Sequence, residues 1–367
     1  MPHTDIFTHT LRTLLRPIQP FLEDETVNEV LVNGPGEIYI ERRGVLELTE
    51  ARFPDGERLM AACRNIAQFS GTALAEDTLR VDARLPDGSR VHMMFPPLAK
   101  KGICVAIRKF STDRLGIRAL VEGGALSRQA LGYLHWCILT KKNILVSGGT
   151  SSGKTTLLNA LSELIPTQER IITIEDTFEL QLQQPHVVPL ETRMNVESWQ
   201  KPVTLRDLFT SSLRMRPDRI IIGELRGPEA LDFLQAMISG HGGSLSTIHA
   251  DTPEDALERL ATLVALSKVE IPPAAVRAQI RSAIHVVVQM ARDFRGRRAV
   301  TGVAEVERGG GREKEIGLQM LFQLRTTGAD PLSTSLEWTG KRSLFPAEFG
   351  GLPADVDWAP LREILPP

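Results

Sequence analysis

Asn143-Ile144-Leu145-Val146-Ser147 runs into Gly148-Gly149-Thr150-Ser151-Ser152-Gly153-Lys154-Thr155-Thr156, and then into Leu157-Leu158-Asn159-Ala160-Leu161. The first five residues are an apolar run of the length of a buried strand, and the last five read as a helix. Strand, glycine-rich turn and helix in that order are the setting of a phosphate-binding loop, and the spacing is a complete G-x-x-x-x-G-K-T. The glycines let backbone N–H groups converge on a phosphate, and the helix N-terminus adds the positive end of its dipole. Lys154 reaches the β- and γ-phosphates, the Thr155 hydroxyl is placed to ligate Mg²⁺, and Thr156 stands near the α-phosphate. Gly148, Thr150, Ser151, Ser152 and Gly153 complete the expected cradle. The competing reading, a Gly/Ser-rich turn with an incidental lysine, leaves the agreement of spacing and context unexplained. The stretch therefore predicts a protein that binds ATP and Mg²⁺.

Composition bounds the rest. A length of 367 residues suggests two or three domains. With 42% hydrophobic and 24% charged residues, the chain reads as a soluble globular protein. Lys+Arg 43 against Asp+Glu 45 leaves a net charge of -2, so no direct nucleic-acid contact is expected. No apolar run approaches the ~20 residues of a membrane span. The start, MPHTDIFTHT, lacks the basic and apolar regions of a signal peptide. Cys63, Cys104 and Cys137 are far apart and form no C-x-x-C, which disfavours a zinc site or disulfide framework. A reduced, cytoplasmic protein is expected.

Along the chain, Leu11, Leu14, Leu15, Ile18 and Leu22 share a helical face, with Pro17 and Pro20 kinking or ending that helix. Residues 37–41 and 45–49 alternate about a turn at Arg43-Gly44, as in a hairpin. Residues 56–69 read as a helix, 81–85 and 89–95 as strands about Pro86-Asp87-Gly88, and 103–108 as a further strand. Residues 1–110 thus form a small α+β domain, and 111–124, with Gly123-Gly124, a linker. Beyond it helices alternate with short apolar strands. Residues 127–140 are helical, and 171–174, 219–222 and 244–248 read as buried parallel strands. Thr252 caps a helix with Pro253 in its first turn, and Leu257, Leu260 and Val264 share one of its faces. Residues 286–288 and 300–306 are late strands. The fold class is α/β: a RecA-like P-loop ATPase domain over 125–308, preceded by the smaller α+β domain and followed by a C-terminal extension over 309–367.

Hydrolysis needs more than the loop: a carboxylate near the γ-phosphate and a group holding Mg²⁺. Two strand ends supply acids. Ile171–Ile174 leads into Glu175-Asp176, and Ile220–Ile222 leads into Gly223-Glu224. Ligands sit beyond the carboxyl ends of the strands in such sheets, so both acids face the crevice of Lys154. The alternative is that each merely caps the next element. His241 and His249 flank a strand of small and polar residues, as surface or core histidines or as donors to a γ-phosphate. Arginine candidates for the γ-phosphate are Arg90 and Arg108 in the first domain, and Arg206, Arg214, Arg216 and Arg226 in the second. Arg226, close behind Glu224, is the best of the second set.

Together, GGTSSGKTT, TIEDTFEL, LRMRPDRIIIGELRG and GHGGSLSTIHA resemble the Walker A, Asp-box, Walker B and His-box motifs of the type II/type IV secretion ATPase superfamily. VNGPGEIYIERRG, DARLPDGSRV, FPPLA, IRKF and LETRMN are further similar to its CpaF-type branch, the motors of Tad (Flp) pili. The resemblance covers roughly residues 25–305. It implies a homohexameric ring of two-domain subunits with ATP between the domains. Lys154 and Thr155 would hold phosphate and Mg²⁺, Glu175 would be the Asp-box acid near the metal, and Glu224 the catalytic acid, also near it. Gly223 replaces the usual aspartate. His249 and His241 would sense the phosphate, and Arg90 and Arg108 would reach the nucleotide from the N-terminal domain.

The implied partners are inner-membrane platform proteins of a pilus or secretion system, with peripheral membrane association through them. The implied place is the cytoplasm, at the inner face of the inner membrane. The tetracysteine zinc module of type II secretion and pilus-extension ATPases is absent, and the long N-terminal extension common in CpaF-type proteins is missing or much reduced. A type IV secretion or conjugation ATPase is the alternative, and a nucleotide-gated scaffold with little turnover a further one.

Overall fold

The computed structural model describes residues 10–42, 44–75, 77–110, 115–193, 201–308, 316–327, 333–345 and 363–365. Its chain falls into two compact units, one of residues 1–114 with 195–202, the other of 115–194 with 203–367. Parts of the expected linker, of LETRMN and of the expected C-terminal extension lie outside the described residues.

In the first unit, residues 10–14 make a helical turn and α1 (Gln19–Glu23) follows, with Pro20 in its first turn. The expected hairpin is β2 (Ile38–Arg42) and β3 (Val45–Leu48). Three more expected strands are β4 (Arg80–Arg84), β5 (Arg90–Met94) and β6 (Cys104–Arg108). The sequence reading lacked β1 (Val27–Asn33), which pairs antiparallel with both β2 and β6 near the middle of the sheet order β3-β2-β1-β6-β5-β4. A register shift between Val27 and Glu29 puts the buried Val27 and Val30 three residues apart, which hides the period-two signal. One sheet face, with Val30, Val32, Ile40, Met93, Val105 and Ile107, shares a core with Leu59, Cys63 and Ile66 of α2 (Gly56–Phe69). Asp55 caps that helix by accepting from Arg58 N at 2.7 Å.

The second unit is a nine-stranded sheet in the order β15-β14-β13-β12-β7-β11-β10-β8-β9. β7 (Ile144–Gly148), β8 (Ile171–Glu175), β9 (Val187–Glu191), β10 (Arg219–Ile222), β11 (Leu245–Ile248) and β12 (Val286–Arg292) run parallel. β13 (Arg298–Val306), β14 (Leu318–Thr326) and β15 (Thr334–Trp338) continue it antiparallel. β7, β8, β10 and β11 are buried throughout, as apolar runs covered on both faces must be.

Trp136 and Leu134 of α4 (Arg128–Leu139) and Leu157 and Leu161 of α5 (Lys154–Ser162) belong to one of two cores; a short helix, α3 (Ile117–Glu122), precedes them. The other core takes α6 (Leu205–Ser212), α7 (Glu229–Ile238), α8 (Pro253–Ala265) and α9 (Pro273–Ala283). Thr252 caps α8 by accepting from Asp255 N at 3.1 Å, and Leu257, Leu260 and Val264 are buried, as their spacing predicted. The fold is the expected mixed α/β arrangement, a sheet-rich first part followed by a parallel-rich domain.

β14 and β15 lie in the stretch read as an extension, yet they belong to the same sheet. Residues 343–345 are fastened to it as well. The buried Glu305 accepts from Tyr133 Oη at 2.5 Å and from Leu344 N at 2.6 Å, and also from Ser343 Oγ. Burial holds the Glu305 carboxyl above its ordinary pKa despite these donors.

Candidate nucleotide site

β7 ends on Gly148 and α5 begins at Lys154, so the intervening turn is the loop that the sequence predicts. Its shape requires two of its glycines. A Cβ on Gly148 would stand 2.6 Å from Met290 O and 2.5 Å from Ser152 Oγ. Gly153, the residue before α5, is left-handed at φ 95°. Ser152 Oγ donates to Gly149 O at 2.9 Å, closing the turn on itself. Lys154 is buried, and its Nζ donates to Gly148 O at 2.9 Å and Gly149 O at 2.8 Å. Thr150 is exposed, while Ser151, Thr155 and Thr156 are half-buried along the turn and the start of α5.

The neighbouring strand ends bring three further groups together. His249 directly follows β11, and Glu224 lies two residues past β10. His249 Nδ1 is 3.4 Å from Lys154 Nζ, and its Nε2 is 3.2 Å from Glu224 Oε1. An ammonium only donates and a carboxylate only accepts, so this placement gives the imidazole its proton on Nε2. Burial lowers the His249 pKa; Glu224 opposes the shift, and Lys154, Arg226 and Arg259 reinforce it. His249 is therefore a neutral bridge between a cation and an anion.

Glu224 is also paired on its other oxygen. Arg226 Nε and Nη2 donate to Oε2 at 2.8 Å and 2.5 Å, and Arg226 Nη1 lies 3.7 Å from Asp176 Oδ2. Asp176, Arg226, Glu224, the neutral His249 and Lys154 thus form one connected chain across the ends of β8, β10, β11 and β7.

Glu175, expected beside the metal, ends β8 and is buried. Its Oε1 accepts from Glu179 N and Leu180 N, both at 2.9 Å, so it caps the following turn, the plainer of its two readings. It also explains Gly223: a Cβ there would stand 3.0 Å from Glu175 Cγ. The acid in contact with Thr155 is Glu179, absent from the expected set; Thr155 Oγ1 donates to its Oε2 at 3.3 Å. TIEDTFEL carries three acids in five residues, a cluster that already contained this candidate.

The structure does not bring His241 to this cluster. It precedes β11, whereas His249 follows it, so the two stand at opposite edges of the sheet, roughly 13 Å apart by strand rise alone. Arg206 is turned to Asp232, at 2.6 Å, and Arg216 lies 3.8 Å from Asp218. Arg90 and Arg108 belong to the first unit, where they face each other across β5 and β6. Arg108 Nε is 4.0 Å from Glu29 Oε1.

The model for type II/IV secretion system proteins matches residues 13–316. The chain belongs to that family. A putative conjugal transfer protein of Mycobacterium tuberculosis is 33% identical over 306 residues, covering 82% of this chain and 86% of the relative. The type IV secretion system protein VirB11 of Brucella suis is 34% identical over 306 residues, covering 75% and 84%. The X-ray structure of the Legionella pneumophila ATPase DotB is similar in fold, with a TM-score of 0.53 at 16% identity over 80% of this chain and 81% of that one.

Membership in this family of secretion ATPases implies nucleotide binding. The residues fit a magnesium nucleotide. The glycine cradle excludes a Cβ at Gly148, and the Thr155 hydroxyl and Glu179 carboxylate are hard oxygen donors. No cluster of three or more His, Cys, Asp or Glu suited to a metal occurs among the described residues. No helix among the described residues is long and apolar enough to cross a membrane.

Proposed function

We propose that the chain is an ATPase that powers a secretion or pilus machine from the inner face of the inner membrane. The observation that carries this reading is the row Lys154, His249, Glu224 across the ends of three adjacent strands. On binding, the amides of the turn and of the first residues of α5 take the phosphates. Lys154 Nζ exchanges its two carbonyl partners for β- and γ-phosphate oxygens. Thr155, Glu179 and the Asp-box turn would hold Mg²⁺, which would supply positive charge to those oxygens.

Glu224 orients the attacking water. As the water oxygen bonds to Pγ and the bond to the β-phosphate oxygen breaks, a water proton passes to a Glu224 oxygen. Arg226 must yield part of its hold on Glu224 for that oxygen to accept. His249 donates from Nε2 to Glu224 or to the γ-phosphate, so loss of the γ-phosphate is felt at the end of β11. The working form is a homohexamer attached to inner-membrane platform proteins.

Two cargo readings have separate support. The similarity to VirB11 and to a conjugal transfer protein favours type IV secretion. The stretches VNGPGEIYIERRG, DARLPDGSRV and FPPLA favour a Tad (Flp) pilus motor. Deleting the gene separates them: loss of surface pili with secretion intact supports the pilus motor, and the reverse supports type IV secretion. The enzymatic reading is tested by steady-state phosphate release from the purified full-length chain, with Lys154→Ala and Glu224→Ala as controls. Turnover that either substitution leaves near normal would remove that residue from its role.

A further inference from the structure

We propose that the nucleoside end of the bound nucleotide lies against the β12–β13 hairpin, with the guanidinium of Arg298 stacked on the base. This rests on the nucleotide reading above and extends it to the part of the ligand that the phosphate loop does not touch.

The direction follows from the sheet. β7 has β11 on one side and β12 on the other. Glu224 and His249 both lie on the β11 side, so the γ-phosphate lies there. A triphosphate laid along the loop then leads with its nucleoside toward β12. That side is walled. The β12–β7 ladder ends with Met290 opposite Gly148, whereas the β12–β13 ladder continues to Arg292 opposite Arg298. The hairpin therefore stands past the carboxyl edge of β7, where ligands of such sheets lie.

The hairpin also touches the loop. A Cβ on Gly153 would stand 3.4 Å from Met290 Cε and 3.5 Å from Arg298 Cδ. Met290 is buried while Arg298 is exposed, its stem lying along Gly153 beside the N-terminus of α5. The wall thus offers a methyl group and, at its rim, a planar cation. A guanidinium stacks on aromatic faces, and every base presents such a face. This chemistry fits a nucleobase with little preference between adenine and guanine. A phosphate contact would instead strengthen binding of any polyphosphate.

Isothermal titration of the full chain with ATP, GTP and inorganic tripolyphosphate, all with Mg²⁺, separates these cases. Arg298→Ala is expected to weaken ATP and GTP about 5- to 20-fold and to leave tripolyphosphate within about twofold. Arg298→Lys, which keeps the charge and loses the plane, is expected to resemble Arg298→Ala. Unchanged ATP binding in Arg298→Ala would overturn the proposal, as would equal weakening of tripolyphosphate or full recovery in Arg298→Lys. A wild-type chain that binds none of the three ligands would overturn the nucleotide reading itself, and this proposal with it.

Discussion

His249 Nε2 lies 3.2 Å from Glu224 Oε1. The contact joins the end of β11 to the end of β10, and the other ring nitrogen continues the chain to Lys154. A nucleotide that draws Lys154 onto its phosphates therefore acts on His249 and Glu224 together.

The titration of His249 reports that coupling. Arg226 and Lys154 push its pKa down and Glu224 pulls it up, on top of the lowering by burial. Arg226→Ala is expected to move the His249 titration to higher pH, and Glu224→Gln to lower pH, followed by NMR of the ring protons. Shifts of the opposite sign would break the assigned network.

Gly148→Ala tests the cradle. The added methyl meets Met290 O, a backbone atom that cannot turn aside. We expect a loss of stability of about 1–3 kcal/mol and a marked loss of ATP affinity, read by denaturant melts and calorimetry. An unchanged affinity would show that the loop does not hold phosphate in this shape.

The metal side was the least legible part of the sequence. A strand running into Glu175 pointed to that acid; in the fold its Oε1 accepts from the backbone of the next turn, and Glu179 stands against Thr155. Side-chain direction in a capped turn depends on hydrogen bonds that no spacing encodes. His241 failed for another reason: a four-residue strand separates the two edges of a sheet, so flanking residues cannot share one crevice. The phosphate loop, Glu224 and His249 were legible because each follows a short apolar strand of a parallel sheet. β9 was missed as a partly exposed strand at the sheet's edge carrying Pro189, and β14 and β15 lay beyond a glycine-rich stretch that broke the pattern.

Glu179→Gln tests the contact of Glu179 with Thr155. It should raise the Mg²⁺ concentration for half-maximal phosphate release several-fold while sparing tripolyphosphate binding without metal. Equal Mg²⁺ dependence in the variant would return the metal side to Glu175.

Stability should fall in acid through His285. Burial, with Arg308 and Lys142 nearby, pushes its pKa down to about 3, and its Nδ1 accepts from Asn143 N at 3.1 Å. The unfolded imidazole takes its proton near pH 6.5, before the folded one does. This contribution is therefore complete above about pH 6.5 and is lost as pH falls toward about 3. The slope approaches about 1.4 kcal/mol per pH unit. Glu305, raised by burial, acts with the opposite sign, so the comparison must be between the wild type and His285→Asn. We expect the variant to lose less stability than the wild type between pH 7 and pH 5, by urea melts; parallel losses would exclude His285.

The central claim is that Glu224 serves the reaction and the loop serves binding. Paired measurements of ATP affinity and single-turnover hydrolysis on Glu224→Gln address it most directly. The account predicts affinity within a few-fold of wild type and a chemical step slower by about 10²–10⁴. Hydrolysis within a factor of two of wild type, with ATP bound as tightly, would contradict it.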